Sequence, residues 1–288
     1  MPQFPALGRE ICSTDLTTTG GAMYITAASL TRLGAHVGWP AYFGNDSYSH
    51  FVHDLARQEG VDLSLAKVVD RPYRLVTTSI PFSGERAFVT YADPDPDDLY
   101  QHWLNSLQRS EFKHVHIGGF MLEQDLMALI RVARDKGATI SMDCQDGPHL
   151  HQPCKCRDLA REVDIFMPNA REAVIVAETD DVASALDRLM QVIDVVVIKD
   201  GANGVLIGHQ GAVTHVPAIQ AGEVVDTTGA GDCFNAGFLY GYIVEGASLE
   251  QSGIYGNICG GLSVTGVGGA TNAPTHAELM RWSAQLTS

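Results

Sequence analysis

Short apolar strands alternating with helix-period segments, a glycine turn that opens straight onto a helix, and a composition able to build one large core predict an α/β fold with a mostly parallel central sheet. The alternation is plainest in three units. Val115-His-Ile117 precedes a helical stretch from Glu123 to Lys136, Ala138-Thr-Ile-Ser-Met142 precedes Arg157 to Glu162, and Ile165-Phe-Met167 precedes Ala170 to Ala177. Crossovers of this kind are right-handed, and ligands bind beyond the carboxyl ends of the strands. Asp143, Asn169 and Lys199 fall at such ends. The 288 residues, 45% hydrophobic and 18% charged, suit one domain spanning 1–288.

The remaining elements follow in chain order. Residues 1 to 19 hold Pro2, Pro5, Gly8 and a threonine-rich stretch, and Glu10-Ile-Cys-Ser-Thr-Asp-Leu-Thr-Thr18 is polar at most positions. A parallel core strand is buried on both faces and needs a continuous apolar run, so this segment is not expected to supply one. Gly20-Gly21-Ala22 leads into a helix over Ala27-Ala-Ser-Leu-Thr-Arg-Leu-Gly-Ala35. Arg74 to Tyr91 alternates around Ser83-Gly84 and reads as a hairpin. Asp194-Val-Val-Val-Ile198 reads as a strand that ends in the turn Lys199-Asp-Gly-Ala-Asn-Gly204. Beyond Gly231, Phe234, Phe238, Tyr242 and Leu239, Ile243 recur at three- and four-residue spacing, which predicts a helix.

Composition excludes several function classes. A net charge of −15 argues against nucleic acid or anionic membrane as a partner, because phosphate backbones are held by excess Lys and Arg. No apolar run is long enough to cross a bilayer. Met1-Pro-Gln-Phe-Pro-Ala-Leu7 lacks the charged segment and apolar core of a secretory leader, so a cytosolic protein is expected. The acidic run Asp93-Pro-Asp-Pro-Asp-Asp98 reads as a solvated loop without chemistry. Six cysteines in so long a chain do not make a disulfide scaffold, and reduced thiols are the default. Cys144, His149, His151, Cys154 and Cys156 place soft ligands close together, but without the spacing of common structural zinc sites, and loop residues are expected there. His114 and His116 alternate on one strand and read as a satisfied face.

Asp226-Thr-Thr-Gly-Ala-Gly-Asp-Cys-Phe-Asn-Ala-Gly-Phe-Leu-Tyr240 carries the most chemistry. Gly229 and Gly231 let the backbone turn with φ > 0, so the amides of Gly229, Ala230, Gly231 and Asp232 can face one anion. The dipole of the helix that follows favours a phosphate there, and Asp232 can serve as a base. The arrangement reads as a phosphoryl-transfer site. Ordinary helix capping would use the same residue types, so the surrounding motifs bear on the choice.

That segment resembles, at each defining position, the C-terminal signature of the ribokinase-like (PfkB) carbohydrate kinase family, Asp-Thr-x-Gly-Ala-Gly-Asp followed by a small-residue helix. Gly20-Gly21-Ala22 and its helix resemble the N-terminal signature, where a diglycine lets sugar approach backbone. Pro168-Asn-Ala-Arg-Glu172 is similar to the family's Asn-x-x-Glu motif, and Lys199 to Gly204 to its Gly-x-x-Gly turn. These marks keep the family's order across nearly the whole chain. The resemblance implies a ribokinase-like three-layer sandwich with a small β lid, its segments near 5–19 and 74–91, and a homodimer paired through that lid. It also implies an ATP-dependent kinase of a hydroxyl on a small sugar or sugar acid, with Asp232 as base and the amides of 229 to 232 as anion hole. Sugar would lie by Gly20, Gly21 and Asp232, and nucleotide by Asn169, Glu172, Lys199, Gly201, Gly204 and Asn257. Mg2+ would be held through water by Asn169 and Glu172, and K+ could sit beside Asp226 and Thr228.

Three positions depart from the family pattern. The family opens with a strand whose acidic residue grips sugar hydroxyls, and no such run precedes Gly20, so either an upstream segment or a different grip is expected. Ile25 stands where the family carries an Asn, and it cannot replace an amide's hydrogen bonds to hydroxyls. Asp143-Cys-Gln-Asp-Gly-Pro148 resembles Asp-x-Asn-x-Arg with Gln145 and Gly147 in place of Asn and Arg. Two alternatives stay open beside the sugar kinase: a nucleoside kinase of the same fold in which Tyr24 and Ile25 pack a base, and a catalytically weak nucleotide-binding homologue. Phosphosugar acceptors rank lower, since Lys and Arg total only 19.

Overall fold

Val195 to Ile198 form the apolar centre of the sheet because each of these β-branched residues can be buried on one side or the other of a strand covered on both faces. The structure, a computed structural model, describes residues 7, 8, 10–12, 16–82 and 85–286. In chain order these form α1 (Ala22–Arg32), β1 (Tyr42–Phe43), α2 (Ser47–Gln58), β2 (Lys67–Val68), β3 (Leu75–Phe82), β4 (Glu85–Ala92), α3 (Leu99–Arg109), β5 (His114–Ile117), α4 (Glu123–Asp135) and β6 (Thr139–Met142). There follow α5 (Pro153–Ala160), β7 (Ile165–Phe166), α6 (Ala170–Ala177), α7 (Val182–Leu189), β8 (Val195–Lys199), β9 (Val205–His209), β10 (Ala212–Val216), α8 (Ala230–Leu239), α9 (Leu249–Ser263) and α10 (His276–Leu286).

Among the described residues a six-stranded sheet runs in the order β10-β9-β8-β7-β6-β5. The run from β5 to β8 is parallel, and β9 and β10 add antiparallel pairings at the far side. The pleat divides the core between two helix layers. Ile140, Met142, Phe166, Val196 and Ile198 face one layer with Leu126, Leu159, Ala173 and Leu186, whereas Ile165, Met167, Val195 and Val197 face Phe234 and Phe238 of α8. A third cluster joins Tyr24, Ile25 and Ala28 of α1 to Cys233, Ile258 and Leu279. No described helix is long and apolar enough to cross a membrane.

β5 is an edge of this sheet, and β1 with β2 makes a separate parallel pair. Of the lid segment expected near 5–19, residues 5, 6, 9 and 13–15 lie outside the described residues, and the described ones form no strand. The expected hairpin is present as β3 paired antiparallel with β4, its turn at Ser83-Gly84 lying outside the described residues.

Four expectations need correction. The helix after the glycine turn is α-helical only to Leu239 and then widens into a π-helix over Tyr240–Glu245, ended by Gly246 at φ 66. α5 spans Pro153–Ala160 rather than Arg157 to Glu162, since Pro153 at its first position is well suited to start a helix. α1 starts at Ala22 rather than Ala27 and ends at Arg32, so the diglycine abuts the helix itself. The acidic run is also more than a solvated loop. Asp93 pairs with Arg74 at 2.8 Å and Asp95 accepts from the Tyr73 hydroxyl at 2.9 Å at the base of the hairpin, and Asp98 accepts from Tyr42 and Lys67, so the run ties the hairpin base and the β1–β2 pair together.

Candidate active site

The glycine turn enters α8 with Gly229 as its N-cap in the left-handed region, φ 74 and ψ 2. No side chain could be added there, because a Cβ would lie 2.8 Å from Ile25 Cδ1 and 2.9 Å from the Gly269 backbone. Asp226 fixes the turn from behind. Its Oδ1 accepts from the Thr228 amide at 2.9 Å and hydroxyl at 2.7 Å, and its Oδ2 accepts from the Gly268 amide at 3.1 Å. The first-turn amides of a helix have no carbonyl within the helix to bond, which is what makes this end an anion site. Not all of the expected amides are equally available: Ala230 N–H donates to the Thr227 carbonyl at 3.3 Å.

Asp232 stands in the first turn of α8, partly exposed. Its carboxyl is pushed up to about 7, first by burial and then by the negative charge of Asp143, with Lys199 opposing and Glu172 adding a smaller push. Lys199 ends β8 and turns its ammonium inward, 2.9 Å from Asp143 Oδ2 and 3.1 Å from Asn235 Oδ1. Asn235 Nδ2 donates to the same Asp143 oxygen at 2.6 Å. Asp143 Oδ1 also accepts from the Cys144 amide at 2.7 Å. Asp143 is expected at a strand end and at the head of the Asp-x-Asn-x-Arg-like stretch, whereas Asn235 is not among the expected site residues. Its position three residues after Asp232 on a helix, hence on the same face, was the available signal.

Asn169 and Glu172 meet as a reciprocal capping box on α6. Glu172 N–H donates to Asn169 Oδ1 at 2.9 Å, and Asn169 N–H donates to Glu172 Oε2 at 2.8 Å. Glu172 is buried, and burial pushes its carboxyl up, against the bond from Asn169, with Asp143 adding to the rise. Of its two carboxylate oxygens, Oε2 takes the cap bond.

The other expected positions divide in two. Gly204, at φ 94, sits so tightly against the backbone of Val216 and Ala218 that only a hydrogen fits, and Asn257 Nδ2 donates to the carbonyls of Val216 at 3.0 Å and Pro217 at 2.9 Å. These two residues hold the 216–218 loop, with exposed Gly201 at the outer end of the turn. Gly20 lies under the Tyr24 ring, whereas Gly21 faces open space at the start of α1. Tyr24 and Ile25 are core residues, 4% and 3% exposed, so neither offers a face to an incoming base.

The cysteine and histidine cluster does not converge. Cys144 and Cys156 are buried, Cys154 Sγ lies 3.2 Å from Glu178, and His149 Nε2 lies 2.8 Å from the Gln145 carbonyl. Among the described residues no three His, Cys, Asp or Glu side chains form a group that could hold a metal directly. His114 bridges Thr139 and Ser141, and His116 also meets Ser141, each at 2.8 Å. A surface groove lined by Glu123, Met127, Lys155 and Glu162 touches none of the site residues.

A profile of the pfkB family carbohydrate kinases matches residues 9–276. The chain is 28% identical over 284 residues to a fructokinase of Klebsiella pneumoniae, covering 92% of each chain. It is 27% identical over 298 residues to the 2-dehydro-3-deoxygluconokinase of Bacillus subtilis (strain 168), covering 97% of this chain and 91% of the relative. A solved fructokinase double mutant of Vibrio cholerae O395, bound to fructose, ADP and potassium ion, superposes with a TM-score of 0.78 at 22% identity, covering 91% of this chain and 89% of its own, so the two share a fold. Fold and relatives define a phosphotransferase that acts on an alcohol group, built on the ribokinase-like α/β architecture. The chain belongs to the pfkB family of carbohydrate kinases.

Proposed function

We propose that the protein transfers the γ-phosphoryl group of ATP to a hydroxyl of a small sugar or sugar acid, with Asp232 as base and the amides at 229–232 as anion hole. The observation that carries this is Asp232 itself, a carboxyl in the first turn of an anion-binding helix whose surroundings push it up to about 7. An acid of that strength can accept a proton near neutrality. The acceptor oxygen attacks phosphorus as the bond to the bridging oxygen breaks, and its proton passes to Asp232. The amides of Gly231 and Asp232, helped by the dipole of α8, stabilise the charge on the transferred group. The family relatives support a sugar-like acceptor, and sugar acids fit because 2-dehydro-3-deoxygluconokinase is among them.

Magnesium fits this site through water. Asp143 and Glu172 both push the Asp232 carboxyl up and Asp143 pushes that of Glu172 up, with Lys199 opposing at each, an excess of negative charge that a divalent ion would offset. Glu172, whose Oε2 takes the cap bond, and Asn169 would hold the ion's waters, and the ion would supply charge neutralisation at the phosphates. Potassium would sit behind the anion hole, where Asp226 and Thr228 place a carboxylate under the turn. The 201–204 turn and the 216–218 loop held by Asn257 would border the nucleotide, and a cytosolic location accords with use of ATP.

The decisive experiment is an ADP-release screen over sugars, sugar acids and nucleosides with magnesium and potassium present. Turnover of D-fructose or 2-dehydro-3-deoxygluconate is the expected result. Turnover of nucleosides alone would replace the acceptor assignment, and ATP binding without turnover of any acceptor would favour a nucleotide-binding homologue.

A further inference from the structure

Lys199 is built into the site in a way that a nucleotide-lining turn residue would not be. Its four predecessors, Val195 to Ile198, are buried and apolar, and the charge appears only at the carboxyl end of β8. Instead of leaving with the exposed turn that follows, the side chain runs back across the end of β7 to Asp143, with 12% of Lys199 and 11% of Asp143 exposed. Gly231 lies alongside. A Cβ at that position would stand 3.6 Å from Nζ, 3.9 Å from Cε and 4.0 Å from Cδ. The ammonium is therefore next to the second residue of α8, whose amide belongs to the anion hole. An ammonium has three protons, and Asp143 and Asn235 account for two of them.

As a stability device the arrangement makes little sense. A buried ion pair gains little over well-packed apolar residues of the same volume, because both charges must be stripped of water. As a phosphate ligand it makes better sense: a point charge, kept in place by a carboxylate and an amide oxygen, beside a site where negative charge develops.

We propose that Lys199 is a catalytic residue of the transfer, its ammonium donating to a non-bridging oxygen of the γ-phosphoryl group while Asp143 and Asn235 hold it in place. The inference rests on the reading that this group binds at the start of α8. In the step, the acceptor oxygen bonds to phosphorus and the bond from phosphorus to the β–γ bridging oxygen breaks. That electron pair leaves with ADP, and the acceptor's proton goes to Asp232. Lys199 keeps all its protons and shifts its hydrogen bonding toward the group in flight.

The test compares two nucleotides and so does not depend on knowing the acceptor. Binding of ADP and of β,γ-imido-ATP, each with magnesium, is measured by calorimetry on the wild-type protein, Lys199→Met and Lys199→Arg. Lys199→Met is expected to weaken the imido-triphosphate about tenfold or more, the size of a charged hydrogen bond, while ADP changes less than about twofold. Lys199→Arg should recover part of the difference. Removing one member of a buried pair can unfold a protein, so the double variant Lys199→Met with Asp143→Asn, which removes both charges, is measured beside it and must lose the same preference. Equal weakening of both nucleotides, or no change in either, overturns the assignment. A wild-type protein that binds neither nucleotide overturns it together with the kinase reading. Binding of both without turnover of any acceptor overturns the catalytic role together with the kinase reading, whereas turnover with equal weakening of the two nucleotides overturns the Lys199 assignment alone.

Discussion

At the scale of single residues the proposal stands on Asp232. Asp232→Asn keeps the shape but cannot accept the hydroxyl proton, and general-base effects run to ~100- to 10,000-fold. Turnover should fall by at least that lower bound while nucleotide affinity is kept, and a variant retaining more than about a tenth of wild-type turnover would remove Asp232 from the role. In the wild type the carboxyl must be ionised to act. With burial first and then Asp143 raising it to about 7 against Lys199, kcat/KM should rise from pH 6 to pH 8 with its inflection near that value. The same displacement acts on stability with a definite sign. An acid held above its ordinary value binds its proton more tightly in the folded chain than in the unfolded one, so the fold loses stability as pH rises from about 4 to about 7. Asp232→Asn should therefore melt higher than wild type at pH 8, and the gap should close towards pH 4. Melting curves with a pH-independent gap would show that the carboxyl is not held in this way.

At the scale of elements, the capping box of α6 separates two roles that one residue plays. A glutamine at Glu172 can still accept from the Asn169 amide, as it does in ordinary capping boxes, but it carries no charge. Glu172→Gln should leave the melting temperature nearly unchanged and raise the magnesium concentration needed for half-maximal turnover, with the acceptor's KM little affected. Glu172→Ala, which also opens the cap, should cost about 1 kcal/mol of stability as well. Metal titrations in which the requirement stays put while acceptor affinity collapses would refute the assignment. Much of this layer was legible beforehand, because periodicity is a local property. The stretch Ala170–Ala177 begins and ends where its pattern says, and Asp143, Asn169 and Lys199 stand at strand ends as expected. What sequence could not show is non-local: Lys199 turning inward to an aspartate 56 residues away, Asn257 bracing a loop rather than standing alone, and Ile25 lying beneath Gly229. Side-chain direction at a strand end is decided by partners that only the folded sheet brings near.

At the scale of the molecule, the β3–β4 hairpin is the part least able to stand alone. A two-stranded ribbon is marginal in water without a covered face, yet Leu75, Phe88, Val89 and Tyr91 are all more than half exposed. Pairing of two hairpins would cover them, and a homodimer in sedimentation is the expected result, with Phe88→Glu shifting the equilibrium towards monomer. Wild-type protein sedimenting as a monomer at tens of micromolar would rule that arrangement out. The packing of Ile25 has a different reach. α1 begins at the diglycine where an acceptor would rest, and its Ile25 packs beneath the glycine turn where phosphate would rest, so two binding steps meet at one packing contact. A ligand that settles either helix start settles part of the other, and linkage requires the favour to be returned by an equal factor. Acceptor and nucleotide would then each bind more tightly in the other's presence, and a lone nucleotide would meet a site not yet fully set for hydrolysis.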